Sequence, residues 1–177
     1  MNIPSRLVLY IKISAESVTV RAVRSDGSAA EVSDLPVVAL HRYEQRIDAI
    51  GAAALEYEGA AHYEIVRLFN HPRVAMHRFE YSEKYLRILL RPILKQLRFP
   101  LLLRPLQRMV VVMHPVGTWL GGITDIEMRA LVDLSYHTGR DDAIVIEEEN
   151  SLTDAELLSL NGAKWQVWKQ RMVDHAN

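Results

Sequence analysis

Two continuous apolar runs, separated by one amphipathic pattern, constrain the fold of this chain more than any other feature. The runs Arg108 to Met113 and Ala143 to Ile146 have the composition of strands buried on both faces. Between them, Thr124-x-x-Glu127 is a capping box that predicts the start of a helix, which Gly139 would end. A strand, a helix and a strand in this order predict a parallel βαβ unit.

The residues before this unit predict an antiparallel meander. Leu7 to Ile13 has the alternation of a strand, and the β-branched stretch Ser17 to Val23 predicts a second strand. We expect Leu35 to Leu40 to be the third strand, although Pro36 makes its beginning irregular. Shorter elements are expected further on: strands at Ala49 to Gly51 and Ile65 to Phe69, and a short helix at Ala52 to Glu58.

Three more helices are predicted. Ser82 is the expected N-cap of a long helix whose leucines recur at helical spacing, and Pro92 should kink or interrupt it. Thr153-x-x-Glu156 predicts a short capped helix, and Ala163 to Val173 a last amphipathic one. The expected architecture is therefore an α/β domain over residues 1–162, with a mixed sheet and flanking helices, followed by a helix within 163–177.

Composition narrows the function classes. The 177 residues carry a formal net charge of −1, so no overall field favours nucleic acid as a partner. The chain has no cysteine, which excludes disulfides and thiolate catalysis and fits a reducing cytoplasm. No apolar run is long enough to span a membrane, and the first residues lack the pattern of a signal peptide.

Charge is nevertheless unevenly distributed. Seven basic residues and no acid lie between Lys84 and Arg108, and seven acids and no base between Asp141 and Glu156. The basic stripe is either a solvated helix face or a contact for an acidic partner or anionic lipid. The Trp-containing last helix packs on the domain or lies in a membrane interface or partner groove. Together they form the candidate interaction surface: Lys84, Arg87, Arg91, Lys95, Arg98, Trp165, Trp168 and Met172.

Motifs for catalysis and for metal or cofactor binding are missing from the sequence. There is no GxSxG elbow, no GxxxxGK[ST] phosphate loop and no HExxH pair, so we expect no catalytic residue, metal or cofactor. The seven histidines are expected to be surface or capping residues, and His114-Pro115 to end a strand. Glu147, Glu148 and Glu149 follow a buried strand, and two alternatives stay open for them: a solvated acidic edge, or a carboxylate that acts with His114.

Short motifs in a fixed order resemble the N-terminal half of the MreB family, bacterial actin homologues that organise rod-shaped growth. The resemblance spans roughly Arg6 to Leu160. Leu35 to Leu40 is similar to that family's "EPSVVAI", Ser82 to Leu86 to "TEKML", and Val111 to Val116 to "VCVPVG". Ile50 to Ala54 resembles "AVGxxA", Thr124 to Ala130 resembles "TxVERRA", and Val145 to Glu148 resembles "LIEEP". The resemblance implies an actin-like, RNase H-like subdomain.

Departures from the family pattern affect the nucleotide site. The family has Asp-Leu-Gly-Thr in its first hairpin, where the Asp serves Mg²⁺ and the glycine backbone meets phosphate. The aligned residues here are Lys12, Ile13, Ser14 and Ala15, so a cation replaces the carboxylate and a side chain replaces the glycine. Glu148 aligns with the glutamate that positions water. The half that would complete the nucleotide cleft is expected to be missing.

The sequence therefore predicts a non-catalytic, degenerate ATPase of actin-like fold that serves as a protein-binding adaptor or scaffold. The expected setting is the bacterial cytoplasm, with the cell-shape machinery or an MreB filament as partner and a homo-oligomer as a further alternative. The alternatives are a membrane-peripheral scaffold that uses the basic stripe and the Trp helix, and a weak or shared-site ATPase of the actin-like family.

Overall fold

A five-stranded mixed sheet forms the centre of the chain. The computed structural model describes residues 6–76, 78–96, 109–117, 122–136, 143–147 and 150–160. The strands, in chain order, are β1 (Leu7–Ile13), β2 (Val18–Arg24), β3 (Ala29–Asp34), β4 (Val37–His41), β5 (Arg46–Ile50), β6 (Tyr63–Arg67), β7 (Met109–Pro115) and β8 (Ala143–Val145). The helices are a 3₁₀ helix (Gly51–Tyr57), α1 (Phe79–Gln96), α2 (Asp125–Tyr136) and α3 (Asp154–Ser159).

The strand order of this sheet is β3-β2-β1-β7-β8. β1, β2 and β3 pair antiparallel, whereas β1, β7 and β8 pair parallel. The expected mixed sheet, with an antiparallel meander followed by parallel strands, is confirmed. The parallel pairing of β7 and β8 across α2 confirms the βαβ unit.

The third strand of the meander is a correction to the sequence prediction. It is β3, and not Leu35 to Leu40, most of which forms β4 in a second sheet of order β5-β4-β6. β3 was missed because every second residue of this edge strand is exposed (Ala29, Glu31 and Ser33) and the residues between them are only half-buried. Such a strand has no clear apolar alternation.

Alternate residues of β1 point into two different cores. Leu7, Leu9, Ile11 and Ile13 lie in one hydrophobic cluster with α1, α2 and the second sheet. Val8 and Tyr10 face the other way, into a cluster with Leu152 and Leu157 beside α3. The central strand is thus buried on both faces, as the period-two side-chain alternation of strands requires.

α1 departs from its prediction at its start and at Pro92. It begins at Phe79, so Ser82 is not its N-cap but a buried interior residue whose hydroxyl donates to the Arg78 carbonyl (2.9 Å). Pro92 does not interrupt the helix, which continues to Gln96. Since proline has no N–H, the cost is one missing backbone hydrogen bond on an exposed turn.

Both capping boxes are confirmed. Glu127 accepts from the N–H (2.9 Å) and hydroxyl (2.7 Å) of Thr124, and Glu156 accepts equivalently from Thr153. Gly139 and the helix expected at 163–173 lie outside the described residues. No helix in the described part of the chain is both long and apolar enough to cross a membrane.

Candidate functional site

The carboxyl ends of β1, β7 and β8 meet at one edge of the first sheet. The ladder continues just past the strands: Val116 N–H donates to the Ile13 carbonyl (2.7 Å), and Ile146 N–H to the Met113 carbonyl (2.9 Å). Open α/β sheets bind ligands outside this edge. The positions that the sequence aligned with a phosphate hairpin, Lys12 to Ala15, lie here, at the end of β1 and in the turn to β2.

The turn between β1 and β2 is closed by hydrogen bonds of its own. The Ser14 N–H donates to the Ser17 carbonyl (2.9 Å), and the Ser14 hydroxyl accepts from the N–H groups of Glu16 (3.2 Å) and Ser17 (3.0 Å). Backbone N–H groups that converge on one point are what binds a phosphate in such loops. Here two of those N–H groups, those of Glu16 and Ser17, donate to the Ser14 hydroxyl instead.

Lys12 is likewise engaged within the chain. Its Nζ donates to the Ser151 hydroxyl (2.8 Å), which links the end of β1 to the segment before α3. Arg21 on β2 pairs with Asp154 in the first turn of α3 (2.9 Å), and Arg6 donates to the Leu158 carbonyl (3.0 Å) and the Leu160 carbonyl. Three cations of the first hairpin therefore hold residues 151–160 against the sheet.

His114 corrects another prediction. The pair His114-Pro115 ends β7, as expected, but the His114 side chain is 0% exposed and so does not belong to a surface histidine. Its Nδ1 shares a hydrogen bond with the Tyr10 hydroxyl (2.5 Å), and its Cα is the cross-strand partner of Lys12. Its burial was missed because its hydrogen-bond partner, Tyr10, lies on another strand. A fully buried imidazole cannot reach a substrate in solvent.

The carboxylates proposed at this edge are only partly described. Glu147 is exposed and directly follows the β8 ladder, whereas Glu148 and Glu149 lie outside the described residues. Within the described ranges, no group of three or more His, Asp or Glu side chains could hold a metal ion. The described part of the edge thus presents Glu147 after β8 and Glu16 in the β1–β2 turn, both exposed, with Lys12 at the end of β1.

The basic stripe of α1 faces outward, opposite the buried leucines. Two of its cations are paired one turn back: Lys84 with Glu80 (2.6 Å) and Arg87 with Glu83 (2.5 Å). The basic stretch was counted from Lys84 onward, so it did not include these two acids, which precede Lys84. Their i,i+4 spacing from the cations nevertheless predicts such pairs. Arg91 and Lys95 are exposed and have no ion pair with any described residue.

The candidate interaction surface also has members beyond those on the described part of α1. Arg98, Trp165, Trp168 and Met172 lie outside the described residues. Of the described members, Arg87, Arg91 and Lys95 are exposed, and Arg91 and Lys95 have no ion pair with a described residue; Leu94, 40% exposed, lies between these two. This patch is small, basic and only weakly apolar.

Comparisons with known proteins bear on the fold. No protein-family model matches the sequence, and no curated protein matches it. Among solved structures, MreB5 of Spiroplasma citri bound to ADP matches 81% of this chain with a TM-score of 0.54 and 15% identity. The AMPPNP complex of the same protein matches 83% with a TM-score of 0.52 and 17% identity. A double-helical filament of MamK matches 79% with a TM-score of 0.50 and 14% identity.

The matches cover only part of the longer proteins. The chain spans 38%, 39% and 40% of the three solved chains. Structural matches at identities this low support the fold alone and leave activity and partners open. The order of the five strands, the second sheet inserted between β3 and α1, and these likenesses agree with one another: the chain has an actin-like fold.

Proposed function

We propose that this chain is a non-catalytic, actin-like protein that acts as a protein-binding adaptor or scaffold in bacterial cell-shape or envelope organisation. The observation that carries the proposal is the closed state of the first hairpin. The solved neighbours that bind ADP and AMPPNP share the fold, whereas Ser14 and Lys12 here are bonded to the chain itself.

Electrostatics supports the loss of the nucleotide site. Mg²⁺ takes oxygen ligands and needs carboxylates or phosphates around it. An ammonium at position 12 adds a positive charge where the family's aspartate would neutralise the ion, and at about 4 Å two unit charges repel by about 4 kcal/mol near a protein surface. The Lys12–Ser151 bond gives the ammonium a partner without any ligand.

Calorimetry with millimolar ATP and Mg²⁺ tests the first half of the proposal. We expect no saturable heat and no phosphate release from the wild-type chain. The K12D/S14G/A15T variant, which rebuilds the family motif, is the matched comparison. Saturable binding with turnover by the wild-type chain would overturn the non-catalytic assignment and favour the weak or shared-site ATPase.

The exposed end of α1 is the surface that supports a protein-binding role. Arg91 and Lys95 are free of ion pairs with described residues and flank Leu94, a combination that fits an acidic partner with an apolar contact. A purified MreB filament is the probe, and co-pelleting with it is the measurement. We expect the R91E/K95E variant to lose co-pelleting and the charge-conserving R91K/K95R variant to keep it.

The same patch motivates the second candidate, a membrane-peripheral scaffold. Each exposed cation adds about 1 kcal/mol at an anionic surface, so two of them bind weakly without an apolar anchor. Sedimentation with anionic and with neutral vesicles, with and without residues 163–177, separates this candidate from the first. Failure of both forms to sediment with anionic vesicles rejects it.

A further inference from the structure

Within the described ranges, β3 is the edge strand of the first sheet. Among the described residues it has a strand neighbour on one side only, since it ends the order β3-β2-β1-β7-β8. Its six residues are each half-buried or exposed, in strict alternation. Soluble proteins usually block such an edge with proline, lysine, a bulge or a covering element. β3 contains no proline or lysine, and its ladder with β2 has no register shift.

The direction of its backbone groups follows from the hairpin. Arg24 N–H donates to the Ser28 carbonyl (3.0 Å), which makes that pair a hydrogen-bonded one. Such pairs alternate along an antiparallel ladder, so Ala30, Val32 and Asp34 are bonded to β2. The N–H and C=O groups of Ala29, Glu31 and Ser33 consequently point outward along the open edge.

We propose that this edge pairs with the β3 of a second copy of the chain, antiparallel about a two-fold axis, to give a continuous ten-stranded sheet. Outward-pointing residues must face outward-pointing residues of the second copy, so odd-numbered residues face odd-numbered ones. Only a few pairing registers meet this condition. In one of these registers Val32 faces Val32 of the second copy. Glu31 of each chain then faces Ser33 of the other, which gives two such pairs. Those are the outward-pointing residues, so each such pair forms two backbone hydrogen bonds.

Charge selects this register over its neighbour. Shifting the pairing by two residues places Glu31 directly opposite Glu31 of the second copy, and like charges opposite each other destabilise a ladder. In the proposed register the Ser33 hydroxyl donates to the facing carboxylate instead. Glu31 retains Arg21 as its partner on β2 (3.7 Å). The net charge of −1 per chain adds little repulsion between copies.

A pair of variants of opposite sign at one position tests the proposal. In S33K an ammonium faces the Glu31 carboxylate of the second copy, and in S33E a carboxylate does. Both substitutions are solvent-exposed in a lone chain and both lose the Thr19–Ser33 hydroxyl contact (2.9 Å). We expect sedimentation velocity to show a concentration-dependent dimer, tightened about fivefold by S33K and weakened about fivefold by S33E. A monomer at every concentration overturns the proposal, as does an equal effect of the two variants.

Single cysteine substitutions then fix the register, because the chain has no cysteine of its own. In a V32C dimer the two introduced thiols would face each other within the Cα separation that a disulfide needs, whereas in an S33C dimer they would lie diagonally, at about 8 Å. We expect V32C to form a disulfide-linked dimer on mild oxidation and S33C to remain monomeric in denaturing gels. Faster linking of S33C than of V32C overturns the register, and circular dichroism of the reduced variants verifies that both fold.

Discussion

The backbone of Gly51 passes so close to the Asp34 carboxylate that position 51 has no room for a Cβ atom. The Asp34 Oδ1 accepts from the N–H groups of Leu35 (2.8 Å) and Ala52 (2.9 Å), at the point where the chain leaves β3 and where the 3₁₀ helix begins. Tyr85 of α1 donates its hydroxyl to the Asp34 carbonyl (3.3 Å). One aspartate thus joins the first sheet, the second sheet and α1.

G51A should therefore destabilise the chain strongly. Gly51 has a φ of +66°, which costs an alanine about 1–2 kcal/mol, and the displaced carboxylate would lose its bonds to the backbone. We expect a total loss of about 2–4 kcal/mol in urea unfolding. G59A is the control, because Gly59 has a φ of +84° but no heavy atom within 4 Å of its would-be Cβ. Equal losses for the two variants would mean that only backbone strain matters at position 51.

The sequence predicted those elements whose signals are local. Two capping boxes and two apolar runs located α2, α3, β7 and β8, because a capping box and a fully buried strand are both written in consecutive residues. The edge strand β3 was missed because its half-exposed residues form no apolar pattern, and the start of α1 was missed because a serine before a leucine-rich stretch has the signature of a cap. Ser82 is in fact the fourth residue of α1, and its hydroxyl donates to the carbonyl of Arg78, the residue just before the helix.

The candidate site divides in the same way. Lys12 and Ser14 were identifiable as substitutions in a phosphate hairpin, because a change of charge and the loss of a glycine can be recognised from the sequence alone. The bond from Lys12 to Ser151 joins residues 139 positions apart and so could not be read from any local pattern. The burial of His114 beside Tyr10 spans 104 positions and was missed for the same reason.

Pro92 should lower the free energy of unfolding of the chain. It lies inside α1 on an exposed turn, so the helix lacks one backbone hydrogen bond there and gains no buried contact in return. We expect P92A to raise the free energy of unfolding by about 1–3 kcal/mol and the melting temperature by several degrees. Q96A, at the exposed end of the same helix, should change it by less than about 0.5 kcal/mol. An unchanged or lowered melting temperature for P92A would show that the proline makes a favourable contact.

Glu127 should make the stability depend on pH in the acid range. Burial by itself would raise the pKa of Glu127, but hydrogen bonds from Thr124 and from the Ala75 N–H (2.6 Å) outweigh it and hold the pKa below its ordinary value. A carboxyl with a depressed folded-state pKa contributes stability above its unfolded pKa, about 4.3, and loses it as the pH falls through the folded value.

E127Q tests that contribution. We expect the difference in unfolding free energy between the wild-type chain and E127Q to be largest near pH 6–7 and to shrink as the pH falls below about 4.5. E58Q, which alters an exposed carboxylate, is the control and should show a much smaller difference at neutral pH. A difference for E127Q that does not change with pH would mean that the lost interactions do not depend on the charge of Glu127.

Tyr10 and His114 should stabilise the core beneath α3 through their shared hydrogen bond. Y10F keeps the aromatic packing but removes the hydroxyl from the buried imidazole, and losing one partner of a buried polar group costs about 1–3 kcal/mol. Y43F is the matched control, since Tyr43 is 77% exposed and its substitution should change the unfolding free energy by less than about 0.5 kcal/mol. In two-dimensional NMR, Y10F should also shift the His114 ring resonances. If Y10F unfolds at the same urea concentration as the wild-type chain and those resonances do not move, the hydroxyl is not bonded to His114 in solution.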